Sequence, residues 1–234
     1  MKNSPPLYAS WRHAFKLDPN KELSDEALEA ICESGSDGIL IGGTDGVTYD
    51  NVTELLGRVR SYAIPCVQEV SRLDAVVPGF DHYFIPLVVN AGRTEWLLQP
   101  HMEAIKQYGR LIPWHELTVE GYVVLNPDSK VGRLTASVQP NSIEDLLVYT
   151  TLTDRLLQLP ILYLEYSGIY GDPSWVEQVK RQTTHSHLFY GGGIGNQEQA
   201  MVMSEQADTI VVGNLIYEDW QRALETVPQH PSSI

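Results

Sequence analysis

Three short runs toward the C-terminal end of the chain carry the residue types that can hold an anion. Tyr163-Leu164-Glu165-Tyr166-Ser167-Gly168 is followed by Leu188-Phe189-Tyr190-Gly191-Gly192-Gly193 and then by Ile210-Val211-Val212-Gly213-Asn214. Each is an apolar stretch that stops at small residues and precedes a helix-like segment, the pattern of a buried strand running into a turn. Glycine at such an exit lets backbone N–H groups come close to a ligand. Consecutive N–H groups ahead of a helix make an anion site. Two exits in succession, at Gly193 and at Gly213-Asn214, fit a phosphate held by the last loops of a (βα)8 barrel.

The other strand ends supply charge. Lys16 and Asp18 lie two apart, so on a strand they share a face. The pair suits a lysine on a phosphate and a carboxylate on a divalent cation; the plainer reading is a salt-bridged strand end. Thr44 and Asp45 close a second strand, and a hydroxyl and a carboxylate both suit Mg2+, a hard ion that prefers oxygen and retains waters. Equally, Asp45 can cap the following helix. Glu165 stands in an otherwise apolar strand, where a carboxylate is costly unless paired or hydrogen-bonded. It suits a general base or a hydroxyl acceptor, or a structural partner for a cation. Tyr163 and Tyr166 suit a ligand hydroxyl or phosphate, or simple packing. The seven histidines have no metal-ligand spacing: His185 and His187 read as loop or surface residues and His13 as a core-edge residue. Cys32 and Cys66 lie in apolar surroundings and read as two buried thiols. Trp96, Trp114 and Trp175 suit an apolar groove or ordinary packing.

Positioning these residues takes eight strands alternating with helices. The strands read as 14–17, 38–41, 65–70, 83–89, 121–125, 161–165, 188–190 and 209–212. Helices read as 25–33, N-capped by Ser24, then 51–60, 95–108, 142–157, a helix opening at Pro173, 197–206 and 218–226. Between the third and fourth strands, residues 71–82 contain Pro78-Gly79 and are too few for a helix with two turns, so the third helix is expected to be missing or irregular. The expectation is one α/β domain over 1–234, a modified (βα)8 TIM barrel.

Composition narrows the partners. A length of 234 residues with 43% hydrophobic and 20% charged residues suits a single soluble barrel. A net charge of −14 argues against nucleic acid and against electrostatic adsorption to anionic lipid. No apolar stretch of spanning length and no signal peptide are evident, so a cytoplasmic protein is expected, able to act at a membrane surface.

Taken together, these residues resemble the geranylgeranylglyceryl phosphate synthase family, and most closely its bacterial, heptaprenyl-using branch. The matching stretches are Phe15 to Pro19, Ile41 to Thr48, Val77 to Asp81, Tyr163 to Gly168, Phe189 to Ile194 and Val211 to Asn214. The resemblance implies a Mg2+-dependent prenyltransferase on a TIM barrel that lacks a regular third helix. Its reaction joins sn-glycerol 1-phosphate to an allylic prenyl diphosphate by an ether bond and releases diphosphate. Carried over by motif, glycerol phosphate would be bound by Lys16, Tyr163, Leu164, Glu165, Tyr166, Ser167, Gly168, Gly193, Gly213 and Asn214. Asp18 and Thr44 would hold Mg2+. Glu165 would take the hydroxyl proton. A homodimer is the expected assembly, with transient membrane contact through the prenyl groove. Ala104, one helical turn before Tyr108, would leave room in that groove for a tail longer than C20.

Two other functions fit a phosphate-binding barrel. One is an isomerase or aldolase acting on a sugar phosphate. A Schiff-base aldolase would want a buried lysine on a central strand, where the sixth strand offers Glu165. An amino-ketose isomerase would want an acid on the fifth strand, which ends in Asn126-Pro127-Asp128. The other is a phosphate-ligand sensor without catalysis. Mg2+-dependent release of diphosphate separates all three.

Overall fold

Apolar residues in runs of four to eight, β-branched and closed by small or turn residues, form parallel strands buried on both faces. The computed structural model describes residues 5–228, in which eight such strands close into a barrel in sequence order. They are β1 His13–Leu17, β2 Gly38–Ile41, β3 Cys66–Glu69, β4 His82–Val88, β5 Leu117–Val124, β6 Ile161–Glu165, β7 His187–Gly191 and β8 Thr209–Val212. All neighbours pair in parallel, and β8 returns to β1 with Ala14 opposite Val211.

Side chains alternate across this wall. Ala14, Leu40, Val67, Phe84, Tyr122, Tyr163, Phe189 and Val211 form one cluster with Tyr8 and Trp11. Phe15, Ile39, Ile41, Leu162, Leu164, Leu188, Tyr190 and Ile210 form the other, against the helices. Those helices are α1 Asp25–Cys32, α2 Tyr49–Val59, α3 Gln99–Tyr108, α4 Lys130–Thr135, α5 Ile143–Thr151, α6 Pro173–Gln182, α7 Gln197–Gln206, α8 Leu215–Glu218 and α9 Trp220–Leu224. Ser24 accepts from the Ala27 N–H to cap α1.

Several boundaries differ from the sequence expectation. The helix expected over 95–108, α3, begins at Gln99, after a 3-10 turn at Thr94–Trp96. The segment after Ser142 is α-helical only to Thr151 and continues as a π-helical turn, Leu152–Leu156. The last helix is two short ones, because Asp219 interrupts it and caps the second. The helix α4 was not expected at all. His187 is a correction: it lies on β7 rather than in a surface loop, half-buried against Tyr8 and bonded to the Thr209 hydroxyl. His185 does lie in a loop. His13 is fully buried, and burial lowers its pKa to about 3. Cys32 and Cys66 are buried free thiols.

The irregular third connection is present. Between β3 and β4 only a 3-10 turn forms, Leu73–Ala75. Side chains replace the missing helical ladder. The buried Gln68 amide donates to Ala75 O at 2.7 Å and accepts from Val77 N at 3.1 Å. The Tyr83 hydroxyl donates to Val77 O at 2.9 Å, and Asp81 accepts from Cys66 N and from Arg60. Backbone groups that a helix would have paired are satisfied this way.

Candidate active site

The strand exits converge on one cleft of about 1400 Å³. It is lined at one end by Lys16, Asp18, Thr44, Glu69, Tyr163, Glu165, Ser167, Gly168, Gly193, Gly213 and Asn214. Leu164 and Tyr166 face the other way, into the helix layer, because neighbouring residues on a strand point to opposite sides. Any part these two take in binding is confined to their backbone.

The anion-compatible corner is built from tight turns. Ser167 and Gly168 have φ of +41° and +86°, and Gly192 and Gly193 have +144° and +58°. A Cβ at Gly193 would collide with the backbone of Ile169 and Tyr170, so this turn itself demands glycine. Gly213 is different. A Cβ there would meet nothing nearer than Lys16 O at 3.6 Å. The fold tolerates a side chain at Gly213, and the space it would fill is the cleft. Lys21 lies beside this corner, its ammonium donating to the Asn214 side-chain Oδ1 at 3.2 Å and standing over the Tyr217 ring.

Below the corner a charge cluster enters the barrel. Lys16 Nζ is 2.6 Å from Glu69 Oε1 and 3.9 Å from Glu165 Oε2, and lies over the rings of Tyr122 and Tyr163. Burial disfavours the ammonium, but Glu69 and Glu165 outweigh it and raise the Lys16 pKa above the ordinary lysine value. Glu165 is held on both oxygens. Oε1 accepts from the Ser167 N–H at 2.5 Å and its hydroxyl at 3.0 Å, and Oε2 accepts from the Tyr122 hydroxyl at 2.7 Å. Burial, reinforced by the Glu165 charge, pushes the Tyr122 and Tyr163 hydroxyls well above the usual phenol range. The sequence reading missed two members of this cluster. They are Glu69, at the end of β3, and Glu120, on β5. Alternation along β5 was the signal available, since Thr118, Glu120, Tyr122 and Val124 share one face.

Glu120 is wholly buried, and neither of its oxygens has a hydrogen-bond partner among the described residues. Glu69 Oε2 and the Tyr163 hydroxyl are likewise unpartnered. Desolvation first, and the Glu69 charge second, raise the Glu120 pKa far above the ordinary glutamate value against the opposing pull of Lys16. Burial and the Glu69 charge thus favour the neutral acid at Glu120.

The residues expected to hold Mg2+ lie together. Asp18 and Thr44 both line the cleft, and a Cβ at Gly43 would sit 2.8 Å from Asp18 Oδ1. The Asp18 carboxylate thus rests directly on the β2 exit. Its backbone is bracketed by the Tyr217 hydroxyl, which accepts from Asp18 N at 2.8 Å. Among the described residues no group of three or more His, Cys, Asp or Glu side chains can enclose a metal. One carboxylate and one hydroxyl fit a Mg2+ that keeps waters and shares substrate oxygens, the usual habit of this ion.

The far end of the cleft is apolar, and the irregular segment explains it. Val76, Pro78, Ile85 and Leu117, with Trp96, Pro100, Ala104, Tyr108 and Ile112 on and around α3, supply this lining, His101 and Glu116 being the polar residues among them. Ile85 belongs to the helix-facing side of β4, which a regular third helix would have helped to cover. Trp114 lies outside this lining and is exposed, and Trp175 packs against the helix-side core. A polar mouth thus continues into a long apolar trough.

A sequence model of the PcrB family matches residues 8–230. Heptaprenylglyceryl phosphate synthase of Bacillus cereus (strain AH187) is 54% identical over 219 residues, which cover 94% of this chain and 96% of that protein. The Bacillus anthracis protein of the same name is 53% identical over the same shares. Among solved structures, (S)-3-O-geranylgeranylglyceryl phosphate synthase from Thermoplasma acidophilum, in complex with sn-glycerol-1-phosphate, superposes with a TM-score of 0.79. It is 22% identical, with 94% of each chain covered. The α subunit of tryptophan synthase from Campylobacter jejuni reaches 0.53 at 17% identity, again over 94% of each chain. At such identities the structural likeness speaks for the barrel alone.

The state of Glu120 has a measurable consequence. A carboxyl whose pKa is higher folded than unfolded binds its proton more tightly when folded. It contributes stability below the unfolded value of about 4.3, and this is lost as pH rises toward the folded value. The facing groups are Lys16, Glu69, Glu165, Tyr163 and Tyr8. Glu120→Gln mimics the neutral acid, so its melting temperature should match that of the wild type near pH 4. As pH rises above that, the variant should gain on the wild type. A difference independent of pH would contradict the neutral assignment.

Proposed function

The chain belongs to the PcrB family, and we propose that its cleft joins the prenyl group of an allylic diphosphate to sn-glycerol 1-phosphate through an ether bond. The observation that carries the reading is the continuity of an anion corner, a carboxylate-bearing barrel mouth and an apolar trough in one cleft. A small sugar phosphate would need the first two and leave the trough without purpose. The 54% identity to a heptaprenylglyceryl phosphate synthase across nearly the whole chain points to the C35 donor.

In this reading the glycerol phosphate sits with its phosphate at Gly168, Gly193, Gly213 and Asn214. Its free hydroxyl points toward Glu165. Lys16, pinned by Glu69, presents positive charge to the same mouth. The hydroxyl oxygen bonds to the allylic carbon as that carbon's bond to diphosphate breaks. Diphosphate leaves with the electron pair, and the hydroxyl proton passes to Glu165. Three hydrogen bonds hold the Glu165 carboxylate in one place, which favours positioning. Asp18 and Thr44 would hold Mg2+, which when bound neutralises charge on the departing diphosphate. The trough shields the allylic centre and tail from water.

A lipid surface is the proposed source of the donor. Leu98, Met102, Ile105, Leu111 and Trp114, on and around α3, are exposed beside the trough, and an apolar patch of this kind suits contact with lipid. No described helix is long and apolar enough to cross a membrane.

Radiolabelled glycerol 1-phosphate offered with C20 and C35 prenyl diphosphates tests the reading directly. An ether product made faster from C35, with diphosphate released, is expected; no product from either would refute it. Gly213→Val should raise the KM for glycerol 1-phosphate about tenfold or more, the loss of a charge-assisted contact, with melting temperature unchanged. Glu165→Gln should lower kcat by on the order of 10²-fold with little change in glycerol phosphate affinity. Ala104→Trp should shift preference from C35 toward C20 while keeping most of the C20 rate.

A further inference from the structure

Diphosphate leaving an allylic carbon carries more negative charge than one divalent ion neutralises, so the cleft needs a cation near the metal position. Five Lys and Arg side chains line it: Lys16, Lys21, Arg72, Lys130 and Arg133. Four are placed or engaged elsewhere. Lys16 is bonded to Glu69, and Lys21 stands at the Asn214 corner. Arg72 forks onto Asp74 at 2.9 and 2.6 Å. Arg133 donates to the Asp128 carbonyl of its own loop.

Lys130 is different. Its ammonium lies 3.1 Å from Asp45 Oδ2, and Asp45 is the neighbour of Thr44. Lys130 opens α4 at the exit of β5, and Asp45 follows the exit of β2. Three steps separate those strands around the closed barrel, with β3 and β4 between them. The ion pair therefore reaches over the mouth, on the side from which the trough departs. Its mount is firm. Ser129 Oγ donates to Asn126 O at 2.7 Å and accepts from Gly132 N at 2.9 Å, and the Asn126 amide donates to Ser167 O at 3.0 Å. The Asn126 bond ties the β5 exit to the turn beside Glu165. Both side chains of the pair are more than half exposed, so the pair contributes little to stability and its exchange costs little.

We propose that Lys130 is a catalytic cation for the leaving diphosphate, and that Asp45 holds its ammonium over the mouth until the diphosphate arrives and takes Asp45's place. The inference rests on the prenyl-transfer reading of the same cleft. No proton moves in this exchange: the diphosphate departs with the electrons of the broken C–O bond, and the Lys130 ammonium pairs with its oxygens.

Inorganic pyrophosphate with Mg2+, titrated calorimetrically into the full chain, tests it. Lys130→Gln should weaken pyrophosphate binding about tenfold or more, the worth of one charge-assisted contact, while glycerol 1-phosphate binds as to the wild type. Lys130→Arg should restore much of the loss. Asp45→Asn should bind pyrophosphate at least as tightly as the wild type, because the competing carboxylate is gone. Unchanged pyrophosphate affinity in folded Lys130→Gln overturns the proposal. So does a loss in Asp45→Asn equal to that in Lys130→Gln. A wild type that makes no ether product would instead defeat the functional reading, so the two failures are distinguishable.

Discussion

One part-buried ammonium orders the charges of this barrel. Lys16 is the cation that meets Glu69 and Glu165 inside the mouth, at 2.6 and 3.9 Å. Removing charges from water is costly, and a buried pair persists only with close geometry and satisfied hydrogen bonds. Glu165 meets that condition through Tyr122 and Ser167. Glu69 meets it on one oxygen only, and Glu120 on neither. A third ionised carboxylate would have no compensation, and burial therefore favours a proton on Glu120. The setting of the Glu165 carboxylate therefore depends on β1, β3, β5 and β6 together.

A second constraint shapes the substrate that fits. In a regular barrel each strand is covered on its outer face by helices. Here twelve residues, 70–81, connect β3 to β4, and Gln68, Tyr83 and Asp81 hold them in place of a helical ladder. The outer edge of β4 is left to line a trough instead of a helix interface. Fold and specificity are thus linked by an omission: the same shortfall of residues that prevents a helix opens the space for a long apolar tail.

The polar and apolar ends of the cleft meet at the mouth. The anion-compatible turns belong to the exits of β6, β7 and β8, and Asp18 and Thr44 to those of β1 and β2. The trough leaves over β3 and β4. The Asp45–Lys130 pair stands between these parts, where a leaving diphosphate lies if its tail occupies the trough and its metal sits at Asp18.

Much of this was legible in the chain alone. Strand exits at Gly193 and Gly213-Asn214, the shared face of Lys16 and Asp18, and the missing helix all follow from local pattern: period two along a strand, glycine at a turn, and too few residues for a helix. What local pattern leaves open is who faces whom across the barrel. Glu69 reaches Lys16 over 53 residues of sequence. Leu164 and Tyr166 sit inside the informative run yet turn to the helix layer. Glu120 looks like a polar residue of a half-exposed strand until the barrel closes around it. The six-residue α4, too short for a periodic signal, carries Lys130 to Asp45. Sequence determined the elements and their polar ends because those depend on neighbours along the chain; closure of the barrel decided the charge pairs, because they join strands that only the fold brings together.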